Sequence, residues 1–139
     1  MHTIKGSLVV LLFYSLVVFV SPDFAQGNNS GFVLPPDPGK AGKVTLLGID
    51  TDGDGVRDDI QRYIYFTYPD DKKLRLGLTY YAIEFQGVLK DANDREAAYD
   101  HANKMSRHGD CLWYLKGRDS FDIIDLLLAE ILNTRERSI

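Results

Sequence analysis

From Asp58 onward the apolar residues of this chain recur at intervals of three and four, and that spacing commits the body to helices. No stretch reads convincingly as a strand, and there is no internal repeat. "DDIQRYIYFTY" puts Ile60, Tyr63, Ile64 and Phe66 near one face, with Asp58 and Asp59 in the first turn, where the helix dipole favours negative charge. Pro69 stops this helix, because its ring disfavours a helical residue before it. A second helix is expected from Asp70 or Asp71, striped by Leu74, Leu78, Tyr81, Phe85, Val88 and Leu89 and weakened slightly by Gly77 and Gly87. "KDAND" breaks the pattern and offers Asn93 or Asp94 as an N-cap. A third helix is expected from about Arg95 to Leu115, with Ala98, Ala102, Met105, Leu112 and Trp113 inward and Gly109 as a weak point. After the turn "KGRDS", a last helix from Phe121 to Asn133 is expected, capped by Asp119 or Ser120. It is apolar at Ile123, Ile124, Leu127, Leu128 and Ile131, and Arg135 and Arg137 lie at the end of the dipole that suits them. "RERSI" supplies no stop signal, which leaves a truncated C-terminus open.

Immediately before the first helix stands "GIDTDGDGVRDDIQRYI", residues 48–64, where Asp50, Asp52, Asp54, Asp58 and Asp59 are crowded together around Gly53 and Gly55. Uncompensated like charges this close repel. A plain helix cap needs only Asp58 or Asp59 and leaves the other three aspartates unexplained. A wrapped cation explains them. Oxygen ligands at alternate positions let a chain curl round a hard ion, a glycine at the sixth position permits the sharp turn, and a ligand at the twelfth closes the cage. Counted from Asp50, the sixth residue is Gly55, the seventh Val56, the ninth Asp58 and the twelfth Gln61.

"DTDGDGVRDD" resembles the calcium loops of dockerin modules and thrombospondin type 3 repeats, relatives of the EF-hand loop. The resemblance implies a calcium ion held by Asp50, Asp52, Asp54, the Val56 carbonyl and Asp58, with Gln61 in the closing place usually taken by an acid. Asp59 is the other candidate to close the cage. A cage this rich in protein oxygens favours calcium over magnesium, which holds its waters tightly. No helix precedes the loop as in a full EF-hand, and no tandem copy follows as in a dockerin. Arg57, at the eighth position, also suits an unpaired loop. The remainder resembles exported bacterial proteins in which such a loop leads into a helical body, and that likeness implies no activity. The expected fold class is therefore mostly α: a small bundle of about four helices preceded by a single EF-hand-like calcium loop.

Residues 1–25 have the layout of a secretory signal peptide: a basic Lys5, then an apolar run from Leu8 to Val20, with cleavage expected after Ala25. The run is shorter than the ~20 residues that span a bilayer, so no stable membrane insertion is expected after cleavage. The mature chain is then secreted or periplasmic. Residues 26–43, "QGNNSGFVLPPDPGKAGK", read as an extended linker with no core of its own, leaving 44–139 as the loop and helical domain. "VTLLGI" reads as a short apolar approach to the loop. A hydrophobic content of 45% argues for a folded body, and a net charge of −4 gives no reason to bind nucleic acid.

Two other functional classes stay open. Tyr63, Tyr65, Tyr68, Tyr80 and Tyr81 cluster on the first two helices, as core with hydroxyls at the rim or as a surface for a protein partner. Cys111 and His108 stand three apart, the spacing of a thiolate with its base, and Glu84, Glu96 and Glu130 are scattered carboxylates that a hydrolase would need paired. The plainer expectation is a buried, slowly reacting Cys111 and three solvated glutamates. With one cysteine in the chain, any disulfide through Cys111 is intermolecular.

Overall fold

The computed structural model describes residues 33–138, so the signal peptide expected at 1–25 and linker residues 26–32 lie outside the described residues. The described chain is mostly helical, with four α-helices and no strand: α1 (Asp58–Thr67), α2 (Lys72–Lys90), α3 (Arg95–Lys116) and α4 (Asp119–Ile131). None of these helices is long and apolar enough to cross a membrane.

Local chemistry accounts for most boundaries. α1 ends just before Pro69. The Asp71 carboxylate accepts from the Leu74 N–H at 2.9 Å and caps α2. It also pairs with Lys116 at the far end of α3, 2.7 Å away, so one side chain both starts α2 and holds α3. Asp94 caps α3, accepting from Glu96 and Ala97 N–H groups at 3.1 Å. The start of α4 corrects the expectation. The helix opens at Asp119 after Arg118, which makes no side-chain cap, and Ser120 is buried with its hydroxyl donating to the Gly117 carbonyl at 2.7 Å. α4 also ends at Ile131, short of Asn133.

The core draws on every helix: Val56, Ile60 and Ile64, then Leu74, Leu78, Tyr81 and Ala82, then Leu112, Leu127 and Ile131. Burying each large aliphatic side chain is worth about 1.5–3 kcal/mol. α2 and α3 form an antiparallel hairpin, since Gly77 faces Leu112 and Gly87 faces His101. Those two glycines, expected only to weaken α2, are where side chains of α3 leave no room for a β-carbon. A β-carbon at Gly77 would lie 2.8 Å from Leu112 Cδ2, and one at Gly87 would overlap the His101 ring. Trp113 and Phe66, expected inward, are 48% and 60% exposed.

The segment before the loop also departs from expectation. Within the expected linker, Pro35 and Gly42 are buried and Ala41–Lys43 forms a 3-10 turn. The Pro35 carbonyl accepts from Arg62 at 2.9 Å. The apolar side chains of "VTLLGI" do not anchor it: Val44, Leu46 and Leu47 are exposed. Its backbone is held instead. Arg137, 1% exposed, donates to the carbonyls of Leu46 at 3.0 Å, Thr45 at 2.7 Å and Gly42 at 2.6 Å. Residues 35–46 are thus a strap bound to the bundle through main-chain carbonyls.

Gly87→Ala should destabilise the protein by about 1–3 kcal/mol through overpacking, although alanine is the better helix former. Urea unfolding measures it, and adding His101→Ala in the same chain should recover most of the loss.

Candidate metal centre

The loop runs from Ile49 into α1 and is closed by the Asp58 N–H donating to the Ile49 carbonyl at 2.8 Å. Inside that closure the aspartates shape the backbone. Asp50 accepts from the N–H groups of Gly53 at 2.8 Å and Gly55 at 3.0 Å. Asp54 accepts from Val56 N–H at 2.8 Å, and Asp52 from Asp54 N–H at 3.3 Å. Buried Asp58 accepts from the Thr51 N–H at 2.8 Å and its hydroxyl at 2.5 Å. Gly55, with φ +90°, supplies the sharp turn its position requires.

Asp50, Asp52 and Asp58 each present a carboxylate oxygen within 4.8 Å of the others. Asp54 joins them through Gln61, whose Nε2 donates to Asp54 at 2.8 Å and to Asp52 at 3.3 Å. Gln61 is 5% exposed, and its Oε1 is buried without a hydrogen-bond partner. An amide has nearly the same shape when its oxygen and nitrogen are exchanged. Turned over, Gln61 would aim a carbonyl oxygen at the carboxylates, which is unfavourable among anions and favourable toward a cation. The Val56 side chain fills the core, which fixes the backbone at the seventh position from inside.

Asp59 is directed elsewhere. Arg57 donates to its two oxygens at 2.9 and 2.8 Å in a bidentate pair, and Asn133 donates at 3.4 Å. Arg57 itself, at the eighth position of the loop, is 2% exposed. It donates to the carbonyls of Ile131 at 2.9 Å and Glu130 at 3.4 Å, the open C-terminal end of α4. Its own N–H donates to Gln86 of α2 at 3.2 Å. Arg57 therefore joins loop, α1, α2 and α4. Gly48 lies between the two buried arginines, where a β-carbon would stand 2.6 Å from Arg57 Cδ and 3.0 Å from Arg137 Nη2.

The electrostatics divide at Arg57. Burial pushes Asp54 above the usual 3.8; the Val56 N–H offsets part of this, and the charges of Asp52, Asp50 and Asp58 add to it. Burial also acts on Asp59, but Arg57, through hydrogen bond and charge, together with Asn133 and Arg137 outweighs it and holds Asp59 below 3.8. Asp59 is compensated by the protein itself, and the loop carboxylates are not.

The remaining candidates separate. Cys111 is exposed, which corrects the buried thiol expected from the apolar "CLWYL". His108 stacks on Tyr80, ring centroids 5.4 Å apart. Glu84 is not a solvated face: its carboxylate lies 2.7 Å from His101 Nδ1, and Asp91 lies 3.3 Å from Nε2 on the other side of that ring. Tyr81 is in the core and Tyr63 and Tyr68 pack against it, while Tyr65 lies under the Arg75 guanidinium. Comparison with protein-family models, curated proteins and solved structures finds no match to the chain.

The two aspartates act on stability with opposite signs. Asp59 contributes stability that is present above pH 3.8 and lost as pH falls through its lower folded value. Asp54 favours the fold below pH 3.8, and that contribution is lost as pH rises through its raised value. In metal-free buffer, Asp54→Asn should therefore raise stability at neutral pH, and Asp59→Asn should lower it there but change little in strong acid. Arg57→Met, which strands Asp59 and two α4 carbonyls, should cost on the order of 3 kcal/mol at neutral pH. Urea titrations across that pH range check all three. A thiol reagent should label Cys111 in the folded protein at nearly the rate seen in urea.

Proposed function

We propose that the chain is an exported helical protein whose loop binds one calcium ion with a structural role. The ion would be held by Asp50, Asp52, Asp54, Asp58, the Val56 carbonyl and Gln61. The observation that carries this reading is the convergence of the Asp50, Asp52 and Asp58 carboxylate oxygens within 4.8 Å of one another, with the buried Gln61 amide against Asp52 and Asp54. A divalent cation would supply the countercharge these aspartates lack, and with the Gln61 amide turned over its oxygen would face that ion. Asp54, raised first by burial and to a lesser degree by the charges of Asp52, Asp50 and Asp58, is consistent with the same reading.

The role follows from what the loop adjoins. Asp50 precedes the turn and Asp58 begins α1, so an ion between them fastens the entry of that helix. Between the ligand positions Val56 and Asp58 sits Arg57, which carries the end of α4. Gln61 offers one neutral oxygen where a bidentate glutamate normally closes a calcium loop. Affinity is therefore expected at the weak, extracellular end of the range, ~10⁻⁴ to 10⁻³ M. That suits a chain exported into free calcium, as the leader-like residues 1–25 suggest.

Calcium at a hundredfold excess over Kd should stabilise the fold by about 2.7 kcal/mol and raise Tm by about 10 °C. Asp50→Ala should abolish the rise, and Gln61→Glu should tighten binding. Calorimetry and thermal melts with calcium and magnesium decide it. The absence of a heat at millimolar calcium, or weaker binding in Gln61→Glu, would overturn the proposal.

A further inference from the structure

A groove of about 530 Å³ opens between α3 and α4, with the buried Tyr81 ring of α2 in its floor. Its walls are Met105 and Trp113 from α3 and Phe121 and Ile124 from α4. The Trp113 and Phe121 rings meet at a 56° tilt with centroids 5.4 Å apart, and both side chains remain half-exposed or more. This size lies within the range of small-molecule pockets.

Gly109 makes the groove. It stands in the middle of the Met105–Gly109–Trp113 row on α3, one turn from each. Glycine is a poor residue for the interior of a long helix. At Gly77 and Gly87 close packing forces that choice, but a β-carbon at Gly109 would sit 3.8 Å from the Tyr81 ring, an ordinary contact. Packing does not require glycine here. What the missing side chain leaves is open space between two large apolar walls.

The lining of the groove carries a single charge, and it is negative. Asp110 is the sole charged residue lining it. The basic residues nearby in sequence, Arg107, Lys116 and Arg118, do not line it. Asp125 adds negative potential at the floor: burial first, and then this carboxylate, push the Tyr81 hydroxyl above 10.0. Aromatic faces attract cations through their quadrupole and also bury apolar surface, so the combination fits a cation with a hydrocarbon shell. A hydrated metal ion gains little from apolar walls, and an anion is repelled.

We propose that the groove formed by Tyr81, Met105, Asp110, Trp113, Phe121 and Ile124 is a binding site for a small organic ammonium cation, with its alkylated nitrogen among the aromatic rings and facing Asp110. The site is separate from the loop and does not depend on the calcium reading.

Trp113 is the single tryptophan, so its fluorescence reports the groove directly. Benzyltrimethylammonium should change that fluorescence saturably. Choline should compete about tenfold or more better than its neutral isostere 3,3-dimethyl-1-butanol, and benzenesulfonate should not compete. Asp110→Asn and Phe121→Ala, both at exposed positions, should each weaken binding several-fold, and Gly109→Leu should abolish it by filling the groove. Asp50→Ala should leave it unchanged. A non-saturable response, equal competition by the neutral isostere, insensitivity to both Asp110→Asn and Phe121→Ala, or loss of binding in Asp50→Ala would each overturn the proposal. If Gly109→Leu fails to fold, the two surface variants decide.

Discussion

A guanidinium sealed from water must find acceptors for its donors inside the protein, and the fold is arranged around that requirement at Arg57. Four hydrogen bonds from its side chain reach Asp59 and the carbonyls of Glu130 and Ile131. One planar group thereby neutralises a carboxylate in the first turn of α1 and closes the bare end of α4. Removing the charge leaves a carboxylate and two carbonyls short of partners in the interior, where desolvation penalties are largest. Gly48 is small because this arginine and Arg137 pass on either side of it.

The same arrangement explains why the loop aspartates stay uncompensated. The two buried arginines lie on the inner side of the loop, and their donors are already taken by Asp59, Asn133 and main-chain carbonyls. Neither has a hydrogen bond to Asp50, Asp52 or Asp54. Positive charge is thus used to join elements, and negative charge gathers on the outer side, held in place by backbone N–H groups. A loop preorganised in this way would offer the proposed divalent ion oxygens already converged, which would lower the ordering cost of binding.

The four helices and the caps of α2 and α3 were legible in the sequence because their causes are local. The three-and-four spacing, Pro69, and the cap residues Asp71 and Asp94 act within one turn of where they stand. The convergence of Asp50, Asp52 and Asp58 was legible for the same reason, since these aspartates and the turn glycine Gly55 are close in sequence. Arg57 and Arg137 were not. Beyond nearby Asp59 and Asn133, their partners are main-chain carbonyls 73 to 95 residues away, and a carbonyl carries no sequence signature. The apolar run at Cys111 misled because successive helix residues turn by about 100°. Leu112 faces the core, so Cys111 on one side and Trp113 on the other are carried outward. Gln61 was visible as a departure from the usual closing acid, but its stranded oxygen appears only once α1 is packed.

Arg137 grips the strap across 91 to 95 residues of intervening chain. Contacts that span so long a loop carry a large closure entropy and form only after nearer contacts have shortened the effective distance. During synthesis the strap and the loop emerge first, yet the guanidinium that fixes the strap emerges only after all four helices have been made. The α2–α3 hairpin, by contrast, packs Gly77 against Leu112 and Gly87 against His101 at far shorter separations in sequence. The strap therefore depends on the finished bundle: its carbonyls meet their buried donor only when the residues after α4 are in place.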